Sequence, residues 1–327
     1  MRESLKETCR RFIENRDVIK STYKWENAYI YPVCAAALTK KDSKISAEKL
    51  KECGAILKEN TSIFSVFRGN IRLLMISLMA IDEDPKKRLD KTMKAYACLK
   101  NHFMSSDHLS LAAIFLADMA DEYRFDELAS RTRRIYNEMR SQHPMLTSSE
   151  DISYAAMLSF TNHSEQRIAD EAERCYVKLK AIFKVASSAQ SVSQVFTVFD
   201  ESADEKCQAI KDMYDELKSK GFKFGKYYEL ANLAVLAMMK KDRPDIVDDI
   251  IDAQSYLAGC KGYSTFWGFT KTVRLAHAAM LVACDYAPES DFMDVASFNG
   301  ALAMIVAQQV AVCTAIVAIQ ASNSASS

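Results

Sequence analysis

The sequence is poor in residues that turn a chain sharply, with 8 glycines and 5 prolines among 327 residues. A strand-rich fold needs frequent turns built on these residues, so the composition excludes it and predicts an all-α chain. Net charge is also missing, since 43 basic residues face 43 acidic ones. No long-range field then favours nucleic acid or an anionic membrane surface, and a charged ligand must be held locally. No Cys-x-x-Cys pair occurs; Cys9, Cys34, Cys53, Cys98, Cys175, Cys207, Cys260, Cys284 and Cys313 stand singly. They read as small core residues of a reducing compartment. The first seventeen residues, MRESLKETCRRFIENRD, lack the apolar core of a secretory signal and read as an amphipathic helix, so a cytoplasmic protein is expected. Without a glycine-rich phosphate loop, a G-x-S-x-G or an H-E-x-x-H, no cofactor is predicted.

Lysine and arginine are absent from residue 275 to the last residue. That region contains a nearly unbroken apolar run from Ala301 to Ile319, interrupted by Gln308, Gln309 and Thr314. About 20 apolar residues span a bilayer. The paired glutamines and the lack of basic or aromatic flanks favour a buried terminal helix instead. Attachment to a membrane through 301–319, the one candidate anchor, is the alternative. Residues 321–327 are expected to be a disordered tail and 1–320 a single domain.

What the sequence does contain is a repeat. Tyr96, Tyr136, Tyr176 and Tyr214 are 40, 40 and 38 residues apart, each followed three residues later by Leu99, Met139, Leu179 or Leu217. A period near 40 marks a chain of helical hairpins, each burying its apolar face against its neighbours. Apolar A runs centre on Ala36–Leu38, Ile76–Met79, Ile114–Leu116, Ala156–Leu158, Val195–Val198, Ala234–Leu236 and Ala279–Leu281, alternating with amphipathic B helices. The predicted architecture is an array of about seven hairpins, either an open α-solenoid or a closed α/α toroid. The tyrosines are expected to pack between adjacent hairpins.

The A-to-B turns carry helix-start chemistry at Ser46, Asp84-Pro85, Ser164, Ser202-x-x-Glu205, Arg243-Pro244-Asp245 and Pro288-Glu289. The B-to-A connections are longer and rich in aromatic and basic residues. In a stack of hairpins they share one rim, at the N-termini of the A helices, where a ligand or partner is expected. The candidate binding residues there are Arg68, Arg72, His102, His108, Glu150, Lys226, Tyr227, Tyr228, Trp267, Lys271 and Arg274. The competing expectation is that the aromatic residues seal the ends of the core and the cations stay solvated.

Motifs with sharper chemistry dissolve on inspection. Asp248-Asp249-x-x-Asp252 has the letters of a magnesium-diphosphate site, but a helical wheel puts its carboxylates on a solvated face, with no second acidic cluster opposite. Cys98, His102 and His108 lack a fourth zinc ligand. No metal site is therefore predicted. His277 reads as a core histidine with one partner, and Glu150-Asp151 as part of a Ser148-x-x-Asp151 cap and not an acid/base pair.

The strings KWENAYIYPVCAA (Lys24 to Ala36), IFSVFRGNIR (Ile63 to Arg72), HPMLTSSEDISYAAM (His143 to Met157), GFKFGKYYELANLAVLA (Gly221 to Ala237) and RLAHAAMLVACDY (Arg274 to Tyr286) resemble the bacterial family catalogued as domain of unknown function 4003. The resemblance runs from about Phe12 to the alanine-rich tail. It implies one full-length bacterial domain and carries over no catalytic residue. The function expected from the residues is a non-catalytic binding or scaffold module for a protein or peptide. The alternative is an α/α-toroid enzyme or binder of a small carbohydrate-like, isoprenoid-like or anionic ligand at the rim.

Overall fold

A computed structural model describes residues 1–39, 45–225, 228–239, 245–263 and 268–286. The helix starts expected at Arg243-Pro244 and Pro288-Glu289, the apolar run 301–319 and the tail 321–327 lie outside these residues. The described residues form fourteen α-helices and no strand. None of these helices is long and apolar enough to cross a membrane.

Two kinds of helix alternate. The even-numbered ones are α2 (Ile30–Thr39), α4 (Arg72–Met79), α6 (Asp107–Met119), α8 (Asp151–Leu158), α10 (Ala186–Phe196), α12 (Ala231–Met239) and α14 (Lys271–Tyr286). They are mostly apolar and short; α4 and α8 have 8 residues and α12 has 9. Helices of that length do not hold together alone in water. They persist because they are largely buried: every residue of α12 is buried, as is the stretch from His108 to Ala117 in α6. Each large apolar side chain enclosed in this way contributes about 1.5–3 kcal/mol.

The odd-numbered helices are α1 (Glu3–Thr22), α3 (Ala47–Asn60), α5 (Pro85–Lys100), α7 (Phe125–Gln142), α9 (Glu165–Phe183), α11 (Ala203–Ser219) and α13 (Ile246–Ala258). They bury one stripe. In α7, Leu128, Thr132, Ile135 and Met139 recur at the 3.6-residue period and are buried. Their starts follow the sequence. Ser46, Asp84 and Ser164 each accept the N–H three residues on, and Ser202 with Glu205 forms a reciprocal capping box. Asp245 makes no such bond; its φ of −84° and ψ of 3° are not the extended geometry that aims a capping oxygen back at the helix.

One apolar run is displaced. Val195–Val198 straddles the C-terminal end of α10, because most of that helix is written in serine and glutamine. Ser188, Gln190, Ser193 and Gln194 are nonetheless buried, and Ser193 spends its hydroxyl on the Gln190 carbonyl within its own turn.

The described residues divide into two compact units. One holds 11–136 and 148–159 and is called the α2–α8 unit; the other holds 1–10, 137–147 and those from 160 to 286 and is called the α9–α14 unit. In the first, α2 packs on α4 and α6 on α8, with α3 against α5 behind them. In the second, α10, α12 and α14 lie side by side in one layer and α9, α11 and α13 in another. The four spaced tyrosines each meet a ring from the connection or helix end one hairpin earlier. Phe67–Tyr96, Phe103–Tyr136 and Phe183–Tyr214 are edge-on at 5.3, 5.5 and 5.3 Å, and His143–Tyr176 is tilted at 4.2 Å. Leu99, Met139, Leu179 and Leu217 are buried beside them.

Candidate functional site

In the α2–α8 unit the expected rim cations are occupied internally. Arg68 donates through Nε to Thr61 Oγ1 at 2.9 Å and through Nη2 to the carbonyls of Lys58 and Thr61, so it closes the C-terminal end of α3. Arg72 pairs with Glu26 and lies over the Tyr23 ring at 5.4 Å. His108 is buried, which pushes its imidazole pKa down against the opposing pull of Asp107. His102 is half-buried. Glu150 is exposed, and its neighbour Asp151 serves the helix start. The Asp151 carboxylate accepts from Ser148 N–H at 2.7 Å while Ser148 Oγ accepts from Glu150 N–H.

The α9–α14 unit behaves differently. Lys226, Tyr227 and Trp267 lie outside the described residues, and of Tyr228 only the backbone is described. Lys271 and Arg274, however, line one pocket of about 760 Å³ with Phe222, Lys223, Glu229 and Gln254. Its walls follow from local chemistry. α11 ends in a Schellman turn, with Phe222 N–H on the Leu217 carbonyl at 2.8 Å and Gly221 at φ 87°, a conformation that a side chain disfavours. Gly225 is a close approach, because a Cβ there would lie 2.3 Å from Glu229 Oε2 and 2.7 Å from Thr272 Cγ2. α14 starts where Thr270 Oγ1 accepts from Val273 N–H. Lys271, exposed, therefore stands at the positive end of a 16-residue helix.

Arg274 is buried and sends Nη1 to the Tyr263 carbonyl at 2.8 Å, while its Nε has no partner among the described residues. Tyr263 in turn bonds His277 Nδ1 at 2.6 Å. His277 is thus a core histidine, bonded to the same tyrosine whose carbonyl holds Arg274. With Lys223, Lys271 and Arg274 against Glu229, the described lining is positive.

The Asp248-Asp249-x-x-Asp252 run corrects the solvated-stripe expectation. Asp249 is buried, taking Arg2 Nε at 3.0 Å and the Tyr286 hydroxyl at 2.5 Å. Asp248 pairs with Lys220 and Asp252 with the Met1 amino group, both at 2.5 Å. Each carboxylate has its own donor, so the three do not converge on a metal. No group of three potential His, Cys, Asp or Glu ligands occurs among the described residues. The wheel misplaced Asp249 because it sits on the border of the buried stripe, three residues after Ile246 and four before Ala253, facing Arg2 and Tyr286.

A family model described as "Protein of unknown function (DUF4003)" matches residues 15–310, most of the chain. The chain belongs to this family. A relative described as "Uncharacterized protein YeaA", from Bacillus subtilis (strain 168), is 21% identical over 98% of this chain and 97% of its own length. No solved structure matches the chain with significance. For this DUF4003 member the chemistry must therefore be read from the side chains. The described residues that line the pocket, from Gly221 to Leu275, fall inside the matched region.

Proposed function

We propose that this DUF4003 protein is a non-catalytic binding module that takes an acidic, aromatic-bearing peptide segment of a partner into the α9–α14 pocket. The observation that carries the reading is the lining itself. Among the described residues, Lys223, Lys271 and Arg274 line the pocket with one carboxylate, Glu229, and with Phe222 for apolar contact. A lone acid among three cations suits the holding of an anion. The pocket volume, about 760 Å³, also lies within the range of small-molecule sites and favours a second reading, a small dicarboxylate or phosphate ligand. In either case we read the fold as an array of ~40-residue helical repeats, supported by the recurring ring contacts at Tyr96, Tyr136, Tyr176 and Tyr214. The cytoplasm is its proposed setting, supported by the unbridged thiols of Cys9, Cys34, Cys53, Cys98, Cys175, Cys207, Cys260 and Cys284.

The test is fluorescence polarisation with a labelled peptide of alternating glutamate and phenylalanine. Saturable binding is expected, weakened about tenfold or more in Lys223→Glu/Lys271→Glu, as loss of a charge-assisted contact predicts. If the peptide fails while succinate or phosphate raises the melting temperature of the wild type and not of the variant, the second reading replaces the first. Indifference to all of these ligands would remove the pocket from consideration.

A further inference from the structure

The B-to-A edge of the α2–α8 unit presents apolar side chains outward. Trp25, Ile63, Phe64 and Met104 are 97%, 73%, 89% and 90% exposed. Single exposed apolar residues are ordinary. These are not scattered, because they occupy three successive B-to-A connections, with Trp25, Phe64 and Met104 spaced 39 and 40 residues apart. The connections are also neighbours in space. The Glu26–Arg72 ion pair ties the first to the start of α4, and Asn70 Nδ2 donates to Asp107 Oδ2 at 2.8 Å, tying the second to the start of α6.

The tips are held in place although they touch little. The Tyr31 hydroxyl donates to the Tyr23 carbonyl at 2.6 Å and accepts from Glu26 N–H at 3.1 Å, bracing the turn on both sides of Trp25. Phe67 and Phe103 are buried in contact with Tyr96 and Tyr136, anchoring the stretches that carry Phe64 and Met104. Each connection thus pairs an inward anchor with an outward tip, and the tips lose little freedom on docking. Around them stand exposed cations: Lys24 beside Trp25, and Lys20, Lys58 and Lys100 in the last turns of α1, α3 and α5. Opposing them are exposed Glu59 and half-buried Glu26, the latter already bound by Arg72.

We infer that this edge docks on an anionic lipid surface, with Trp25, Ile63, Phe64 and Met104 entering the interfacial layer and the lysines meeting the headgroups. Tips almost wholly exposed on separate connections offer a protein partner little shape to match. A bilayer interface accepts such protrusions without shape complementarity, and tryptophan flanked by lysine suits its apolar and anionic zones. The surface is made of other residues than the 301–319 run and the α9–α14 pocket.

The test is flotation of the full chain with vesicles of phosphatidylcholine, with and without about 30% phosphatidylglycerol, at low and high salt. Binding to the anionic vesicles alone is expected, weakened by salt, with a blue shift of Trp25 emission read in a Trp267→Phe background. Trp25→Ser/Phe64→Ser is expected to weaken partition about tenfold or more while leaving the melting temperature unchanged, since both side chains are exposed. Lys58→Glu/Lys100→Glu should weaken it further and flatten the salt dependence. The inference is overturned if the wild type stays off anionic vesicles, or if Trp25→Ser/Phe64→Ser floats as the wild type does. It is likewise overturned if the wild type instead pairs in solution and these substitutions dissolve the pair, which would make the edge a protein interface.

Discussion

The two units use the same side of their hairpins in opposite ways. In the α2–α8 unit the arginines of the B-to-A connections turn back onto their own chain, Arg68 onto the end of α3 and Arg72 onto Glu26, while apolar tips point outward. In the α9–α14 unit the aromatic Phe224 is buried, Phe222 joins a pocket wall, and Lys223 and Lys271 remain exposed at its mouth. The difference teaches that a basic and aromatic connection is not in itself a site. What decides is whether an acceptor within reach takes up the cation, a helix-end carbonyl for Arg68 and the Glu26 carboxylate for Arg72.

The largest expected effect tests the part of the α9–α14 unit farthest in sequence from its partner. Asp249→Ala removes the acceptor for Arg2 and for the buried Tyr286 hydroxyl and should cost about 2–3 kcal/mol by denaturant unfolding. The loss should be the same with and without magnesium. A magnesium-dependent stabilisation of the wild type that this substitution abolishes would restore the metal reading of Asp248-Asp249-x-x-Asp252. Next in size, Arg68→Ala should destabilise the α2–α8 unit by about 1–2 kcal/mol, because three acceptors at the end of α3 lose their donor at a half-exposed site. An unchanged melting curve would show that Arg68 is free to serve a ligand after all.

How much of this was legible depends on the range of each interaction. Ser46, Asp84, Ser164 and Ser202-Glu205 were readable because donor and acceptor lie within one turn of each other. The packing of the four tyrosines was readable because similar ring contacts recur along the chain, with the tyrosines 40, 40 and 38 residues apart. Arg68 was not, since its acceptors are mostly backbone carbonyls, which have no signature in side-chain letters. Asp249 was not, because its donor, Arg2, lies 247 positions away. α10 was hidden by buried serine and glutamine, of which Ser193 satisfies itself within its own turn while Gln190 reaches Thr147, 43 positions away. The choice between seal and site was posed for each connection as a whole, and it resolves residue by residue: Phe67 and Phe103 seal, Phe64 and Met104 face out. Of the site, the sequence indicated the connection that carries Lys226, Tyr227 and Tyr228 and the one that carries Lys271 and Arg274, but did not single out Lys223, Glu229 or Gln254, which line the pocket with Lys271 and Arg274.

Acid should find the α2–α8 unit through His108. Its folded pKa lies below that of an unfolded histidine because burial disfavours the charged ring. The unfolded chain therefore binds the proton first as pH falls, so His108 lowers stability below about 6.5 and has no effect well above it. His108→Gln should flatten that slope between neutral and mildly acid pH. A slope unchanged by the substitution would assign the acid sensitivity elsewhere.

The smallest effect on stability carries the sharpest comparison. Lys271→Glu and Trp25→Ser both alter exposed side chains, so each should change stability by less than about 0.5 kcal/mol. Their consequences for binding should separate: Lys271→Glu should weaken the acidic peptide and leave vesicle flotation intact, and Trp25→Ser the reverse. Measured on the same preparations, the two assays give a two-by-two outcome. If each variant impairs only its own assay, the pocket and the apolar edge act independently. If both variants impair both assays, the two units share one partner, and the division of labour between a positive pocket and an apolar edge is wrong.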